Sequence, residues 1–463
     1  MFDAGTPLAD ALRRYAAKGR ASFHTPGHKG RAGLLAGLAS LEYDLTELPE
    51  TGSLYDGGDA IEQAERLAAP AFGAAETLFS AGGCTLCIQA MLLLGAGPGG
   101  RVLLLRNAHR SAVHAAALLG LEPVWLWPGR DGRPEPAAIE NALKEDENIR
   151  AVYITSPDYY GRLADVPAVG AVCRKAGVPL LTDNAHGSHL GAFGLHPLAH
   201  GAAMSADSCH KTLPVLTGGA MLQIGRRPDG FPWAGRAEAK GAMALFGSTS
   251  PSFPVLASLD LARDWWVRAG EAAYRLTAEE TALLRETARE QGLAALDGPL
   301  QDPARLTLDT GGAGVDGGEA AEFFRSRGCE PEYADGRYVV FILTPFNAPA
   351  ERVRLREAIR GMAVALRRGR FLGRGARRAA EGEERYAAYA WDGTRPEAVC
   401  SPREALLAPC EMVPAEKAAG RVAARTACPC PPGIAAVVPG ERITEETAVR
   451  LKQAGFDHLA VLR

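Results

Sequence analysis

Between residues 102 and 182, short apolar runs alternate with stretches of helical periodicity. Residues 102–105, 124–127, 151–155 and 179–182 read as strands, and 112–119, 137–143 and 166–176 as the helices between them. Strands of four or five apolar residues separated by helices are expected to pair in parallel, with helices on both faces of the sheet. Right-handed crossovers then bring the strand C-termini to one edge, where sites in such sheets form. Upstream, residues 59–72 carry a helical pattern, Gly82-Gly83-Cys84-Thr85 interrupts it, and 86–94 resume it. Residues 7–18 read as an amphipathic helix, with Leu8, Leu12 and Tyr15 at helical spacing.

Past Pro251-Ser252-Phe253-Pro254, a long helical stretch over 257–291 leaves this unit. Strand-like runs at 306–308 and 339–343, closed by a helix over 351–367, predict a smaller α+β domain. Residues 369–384 are a basic, glycine-containing linker, and the remainder has its own turn chemistry at Pro429-Cys430-Pro431-Pro432-Gly433. The expected organisation is an N-terminal helix and arm (1–40), a large α/β domain with a mostly parallel sheet (41–290), a small α+β domain (291–370) and a C-terminal domain (385–463).

Composition narrows the function. A chain of 463 residues exceeds one ordinary core, and 47% hydrophobic with 23% charged residues is the balance of a globular protein. The net charge of -3 leaves no electrostatic footprint for nucleic acid, and the arginines of 367–378 read as solvated surface. No run reaches the ~18 apolar residues of a membrane span, and the N-terminus lacks the apolar core of a signal peptide. Nine cysteines without an evident framework fit a reducing, cytoplasmic setting.

Candidate chemistry centres on two residues. The apolar run 178–181 ends in Thr182-Asp183-Asn184-Ala185-His186, and Lys211 follows in Asp207-Ser208-Cys209-His210-Lys211-Thr212. A buried strand delivering an aspartate, then a polar turn delivering a lysine, is what a pyridoxal phosphate (PLP) enzyme of the aminotransferase-like fold (fold type I) needs. The lysine amine takes the cofactor aldehyde, and the carboxylate keeps the pyridine nitrogen protonated. A carboxylate closing an otherwise uncharged run is costly unless paired, and a pyridinium N–H supplies the partner. Gly83, Cys84 and Thr85 opening a helix form a natural phosphate cradle, although Gly-Gly before a helix by itself usually marks only a turn. His109, after the strand 102–105, can stack on the pyridine ring. Ala185 is small enough to lie beneath that ring, and His186 is placed for the cofactor's phenolic oxygen or a substrate carboxylate. Ser208 and His210 would flank the phosphate. Metal readings are weaker. Cys84-x-x-Cys87 has no second pair, and prolines break the helix that would align His24 with His28 or His196 with His200.

These residues resemble the prokaryotic Orn/Lys/Arg decarboxylase family along nearly the whole chain. The resemblance is carried by Phe23-His24-Thr25-Pro26-Gly27-His28-Lys29-Gly30, Asp44-Leu45-Thr46-Glu47-Leu48, Arg106-Asn107-Ala108-His109-Arg110-Ser111 and Ser156-Pro157-Asp158-Tyr159-Tyr160-Gly161. The runs 183–189 and 207–214, Ser248-Thr249-Ser250-Pro251-Ser252, and Pro431-Pro432-Gly433-Ile434 with Pro439-Gly440-Glu441 add to it. It implies covalent cofactor attachment at Lys211, ring-nitrogen contact at Asp183, stacking by His109 and phosphate contacts from Cys84, Thr85, Ser208 and His210. Ser248 or Thr249 would reach the phosphate of a neighbouring subunit's cofactor across a homodimer interface. Cys84, Leu86 and Cys87 stand where the family usually has small hydroxyl residues, so backbone donors persist in the cradle while hydroxyl donors are lost. The receiver-like N-terminal domain of the acid-inducible members is absent from the pattern, which implies a shorter, biosynthetic type.

The resemblance further implies decarboxylation of a small basic amino acid, with arginine the first expectation and lysine or ornithine open. Holding the Cα–carboxylate bond perpendicular to the cofactor ring would select that bond for cleavage. His210 or Lys211 would return a proton to Cα. The distal cation of the substrate needs a carboxylate in a partly dry pocket, for which Glu441 is the first choice and Asp158 and Glu47 the alternatives. An aminotransferase or lyase is the rival reading, with Arg337 or Arg352 available for a substrate carboxylate. A non-catalytic partner subunit is the other.

Overall fold

The computed structural model describes residues 17–463 except 32, 41–42, 49–50, 58, 130, 368–394 and 429–432. The helix expected over 7–18 therefore falls almost wholly outside the described residues, as do the basic linker and most of the 429–433 turn.

The large unit is built on seven strands: β2 (Glu76–Ser80), β3 (Arg101–Leu105), β4 (Glu122–Leu126), β5 (Ile149–Thr155), β6 (Leu180–Asp183), β7 (Met204–Asp207) and β8 (Ala220–Ile224). Their order is β2-β8-β7-β6-β5-β3-β4. All neighbours pair in parallel except at β8, which runs antiparallel to both β7 and β2. The strands expected from apolar runs all form. β2, β7 and β8 carry no such run, and their buried polar groups explain why. Thr77 of β2 donates to Gln223 of β8 at 2.6 Å, and Ser205 and Asp207 of β7 bond to each other at 2.6 Å.

Side chains alternate across the sheet as the two-residue period requires. Leu104, Tyr153 and Leu181 join the core under the helices Gly83–Ala96, Arg110–Leu119 and Arg236–Ala244. Leu103, Leu105, Val152, Ile154 and Leu180 face the opposite core, against Ile139, Val169 and Cys173 of Pro136–Glu145 and Val166–Ala176. The long helical stretch expected over 257–291 is two helices, Phe253–Trp265 and Glu271–Glu290, joined through a π-helical turn at Trp266–Gly270. There Trp266 stacks on Phe72 with centroids 5.7 Å apart and donates its indole N–H to the Ala71 carbonyl.

Beyond it, β9 (Ala294–Ala295), β10 (Arg305–Asp309), β12 (Tyr333–Ala334) and β13 (Tyr338–Ile342) form a four-stranded antiparallel sheet. It packs with the helices Gly317–Ser326 and Pro349–Arg367. The N-terminal strand β1 (Ala21–Phe23) pairs in parallel with β11 (Cys329–Pro331), tying the start of the chain to this smaller unit. The C-terminal segment has its own core around Ala423, Ile443, Leu451 and Val461. There β14 (Cys410–Pro414) pairs with β15 (His458–Leu462) beside the helix Glu445–Gln453.

Candidate active site

β3, β5, β6 and β7 end on the same edge of the sheet, and the residues just beyond them surround one cavity of about 360 Å³. It is lined by Gly83, Cys84, Thr85, His109, Asp183, Ala185, His186, Ser208, His210 and Lys211, together with Asn107, Thr155, Asp158, Tyr159 and Ile434. Residues from Gly83 to Ile434 meet here, most of them because they end or follow strands that finish at this edge.

Lys211 lies in the short helix Cys209–Thr212 directly after β7, where its amine sits 3.0 Å from Nε2 of His186. Burial pulls the lysine's pKa down from its ordinary value, and the carboxylate of Asp183 pushes the other way. Asp183 is 2% exposed, and it accepts from the Tyr153 hydroxyl at 3.2 Å and from the Ala185 N–H at 3.1 Å. Burial raises its pKa, with Lys211 opposing. Burial lowers the imidazoles of His109 and His210 to about 4, and that of His186 well below its ordinary value. Near neutral pH the three rings facing the lysine are therefore uncharged.

A buried frame stands behind these groups. Asp207 accepts from Asn184 at 2.9 Å and lies 2.9 Å from Nε2 of His196, so adjacent strands are locked where Asp183 and Ser208 emerge. The segment holding Gly27 closes over the lysine turn. The Gly27 N–H donates to the His210 carbonyl at 2.7 Å, and a β-carbon there would lie 2.6 Å from the Thr212 carbonyl. From β10 comes Arg305, fully buried, with one guanidinium nitrogen 3.5 Å from Nδ1 of His186 and another donating to the Tyr159 carbonyl. Glu332 accepts from the Tyr159 hydroxyl at 2.6 Å and from the Thr25 N–H at 2.8 Å. Tyr153, Asp207, Arg305 and Glu332 were not singled out by sequence reasoning. The first two lie on the strands flanking that of Asp183, but nothing local marks Arg305 or Glu332.

The cavity fits PLP. A buried carboxylate, a lysine amine in the same cavity and an uncharged imidazole on the cavity wall are the groups its ring and aldehyde require. The Thr155 hydroxyl and the Asn107 side-chain oxygen are buried without a partner, and both residues line the same space. In the cradle, Gly83 adopts φ of 70°, and its N–H is taken by the Gly218 carbonyl at 2.9 Å. Gly83 thus supplies the turn rather than a phosphate donor. Burial drives the thiols of Cys84 and Cys87 up, the latter to about 12, so both are protonated and unreactive near neutral pH.

Other expected residues lie elsewhere. Glu441 does not line the cavity. It is 4% exposed, and its carboxylate is taken by the Arg106 guanidinium at 2.9 Å and by the Val438 N–H at 2.8 Å. Glu441 is therefore a buried ion-pair partner with no reach to a substrate in this cavity. Asp158 does line it, yet one oxygen accepts the N–H groups of Tyr160 and Arg162, and the other is 3.9 Å from the Arg162 guanidinium. Glu47 accepts from Leu54 N–H outside the cavity. Ser248 and Thr249 are exposed on the surface of this chain and do not line the cavity. Arg337 pairs with Asp309 at 2.8 Å and Arg352 lies 3.8 Å from Glu280, both away from the cavity. Among the described residues no group of three or more His, Cys, Asp or Glu is arranged to hold a metal ion. His196 serves Asp207, and His200 lies 2.7 Å from the Gly194 carbonyl.

Comparison with known proteins agrees with this architecture. A profile of the Orn/Lys/Arg decarboxylase major domain matches residues 6–297, and one of the C-terminal domain of that family matches 386–454. The chain belongs to the Orn/Lys/Arg decarboxylase family. It is 29% identical to an arginine decarboxylase of Bacillus subtilis (strain 168), over 95% of this chain and 92% of that protein. It is 29% identical to an arginine decarboxylase of Halalkalibacterium halodurans, over 97% and 93%. Its fold is similar to that of the Francisella novicida lysine decarboxylase LdcF, with a TM-score of 0.73 at 19% identity, over 100% of this chain and 82% of that one. Members of the family are PLP-dependent, and the chain has the fold type I architecture. None of its described helices is long and apolar enough to cross a membrane.

Proposed function

We propose that this decarboxylase acts on arginine, releasing CO2 and the corresponding amine, with PLP held through Lys211. One observation carries the assignment of the site: the Lys211 amine and the buried Asp183 carboxylate face the same cavity, on a chain of the Orn/Lys/Arg decarboxylase family. Arginine is favoured over lysine and ornithine by similarity to relatives named arginine decarboxylases along almost their full length.

When bound, PLP supplies the electron sink for the pair left on the α-carbon as CO2 departs. The chain's own residues supply the rest. Asp183 would hold the ring-nitrogen proton, and Tyr153 and the Ala185 N–H keep that carboxylate in place. His109 would lie against one ring face and Ala185 against the other. Ser208, His210, Thr85 and the backbone at Cys84 would hold the phosphate. His186 contacts the Lys211 amine, and that amine or His210 would return a proton to the α-carbon. Ser248 and Thr249, exposed on the single chain, fit a homodimer in which each subunit reaches its partner's phosphate. The described cysteines are all free, eight in number, which suits a cytoplasmic setting.

The test is a panel of arginine, lysine and ornithine, measuring CO2, amine and keto acid together. CO2 and amine from arginine in preference to the others is the expected result. Preference for lysine or ornithine would reassign the substrate, and keto acid without CO2 would defeat the proposal.

A further inference from the structure

Among the described residues, the C-terminal domain reaches the cavity at Ile434. Arg106 follows β3 by one residue, is 2% exposed, and lies over Trp125 and Trp127 with ring centroids 5.3 and 5.7 Å away. Its guanidinium donates to the Ala435 carbonyl at 2.5 Å and to Glu441 at 2.9 Å. Glu441 in turn accepts the Val438 N–H, so one buried ion pair fixes both ends of the segment 435–441. Ala435 and Val438 pack on Val113 of the helix Arg110–Leu119, and Arg403 donates to the carbonyls of Ala117 and Leu118 at that helix's far end.

The segment so held ends against the N-cap of that helix, which is His109. The Gly433 carbonyl accepts the Arg110 N–H at 2.9 Å, and Ile434 forms a bridge with His109 and lines the cavity. The imidazole is gripped on two edges. Nδ1 lies 2.8 Å from the Ser111 hydroxyl and accepts the Ser111 N–H at 3.2 Å. The opposite edge lies against Gly433, where a β-carbon would come within 2.6 Å of both Cδ2 and Nε2. Gly433 also has φ of 74°, a conformation that glycine adopts without strain.

We infer that the C-terminal domain is part of the active site of its own chain, with Gly433 positioning the His109 ring and the Arg106–Glu441 pair holding Gly433 there. This rests on the proposal that His109 stacks on the cofactor ring. A hydrophobic contact alone would tolerate one more methyl group nearby. A ring clamped between Ser111 and Gly433 would not, because any methyl at 433 must tilt it.

A double-mutant cycle separates positioning from general stability, because positioning acts only while the ring is present. The PLP dissociation constant, read from the absorbance of the bound cofactor, is measured for the wild type, Gly433→Ala, His109→Ala and the double variant. Gly433→Ala is expected to weaken PLP by roughly three- to tenfold, the range of a lost ring stack. In the His109→Ala background, where the methyl has room, it should change the constant by less than about twofold, the near-zero effect left once the coupled partner is gone. Glu441→Gln should behave in the same non-additive way, and it carries the cycle if Gly433→Ala does not fold. An equal loss in both backgrounds would overturn the inference while leaving the role of His109 intact. If His109→Ala itself binds PLP like the wild type, the stacking role falls and the inference with it.

Discussion

At Lys211, burial and charge pull in opposite directions, and that conflict is the chemistry of the site. Burial favours the neutral amine, the form that attacks an aldehyde, while the Asp183 carboxylate favours the charged form. Lys211→Ala should therefore carry no pyridoxyl group after incubation with PLP and borohydride, as read by mass spectrometry. A persistent adduct would place the attachment elsewhere. Asp183→Asn removes the carboxylate that would protonate the ring, and a loss of about 10²- to 10³-fold in kcat is expected, as for removal of one electrostatic stabiliser. Unchanged kcat would show that the ring nitrogen has another partner. The histidines make a pH prediction. His109 and His210 have pKa values of about 4 when folded, against ~6.5 unfolded. The unfolded chain therefore binds more protons through that interval, so stability is full above its upper end and falls as the pH drops through it. The thermal midpoint of the cofactor-free protein should decline from about pH 6.5 to 4, and less steeply in His109→Gln or His210→Gln. Equal slopes would contradict the burial of those rings.

Among the elements, what could be read locally was set by whether a strand's buried positions are apolar. β3, β5 and β6 announce themselves because Leu103–Leu105, Val152–Ile154 and Leu180–Leu181 are buried on both faces of the sheet. β7 and β8 are buried too, but they satisfy polar groups through partners outside the strand itself. Gln223 answers Thr77, and Asp207 answers Asn184 and His196. Such pairings are invisible in a window of one strand. The antiparallel sense of β8 follows from the return of the chain after the Lys211 turn, a matter of topology rather than periodicity. The turn over that lysine makes a second point. Gly27 is required by the approach of the arm to Thr212, and its Cβ would overlap backbone atoms that cannot yield as a side chain would. Gly27→Ala should cost about 1–3 kcal/mol, the range of overpacking at a rigid site. It should lower the thermal midpoint and slow cofactor attachment at Lys211 together. Loss of stability with an unaltered attachment rate would mean that the arm closes the fold but does not shape the lysine turn.

For the whole molecule, the site draws on three parts of the chain that are far apart in sequence: the arm with Thr25, β10 with Arg305, and the C-terminal segment with Ile434. A partner subunit is the fourth expected contributor. If Ser248 and Thr249 reach across a dimer, mixing inactive Lys211→Ala with a Thr249→Asp variant, inactive for want of the phosphate contact, should restore part of the activity. One mixed site then has both its lysine and its threonine. No recovery, with dimers seen by sedimentation, would place the phosphate contacts within one chain. The sequence by itself determined the strand–helix alternation, the edge of the sheet where a site would form, and the residues that follow each strand: His109, Asp183, His186 and Lys211. Those are local consequences of apolar periodicity and turn chemistry. Only the tertiary structure decided that Glu441 neutralises Arg106 instead of facing a substrate, that Gly83 turns the chain instead of donating, and that Arg305 stands behind His186. A buried charge takes whatever partner the packing brings within reach, and that partner is chosen by contacts hundreds of residues apart, which no local pattern records.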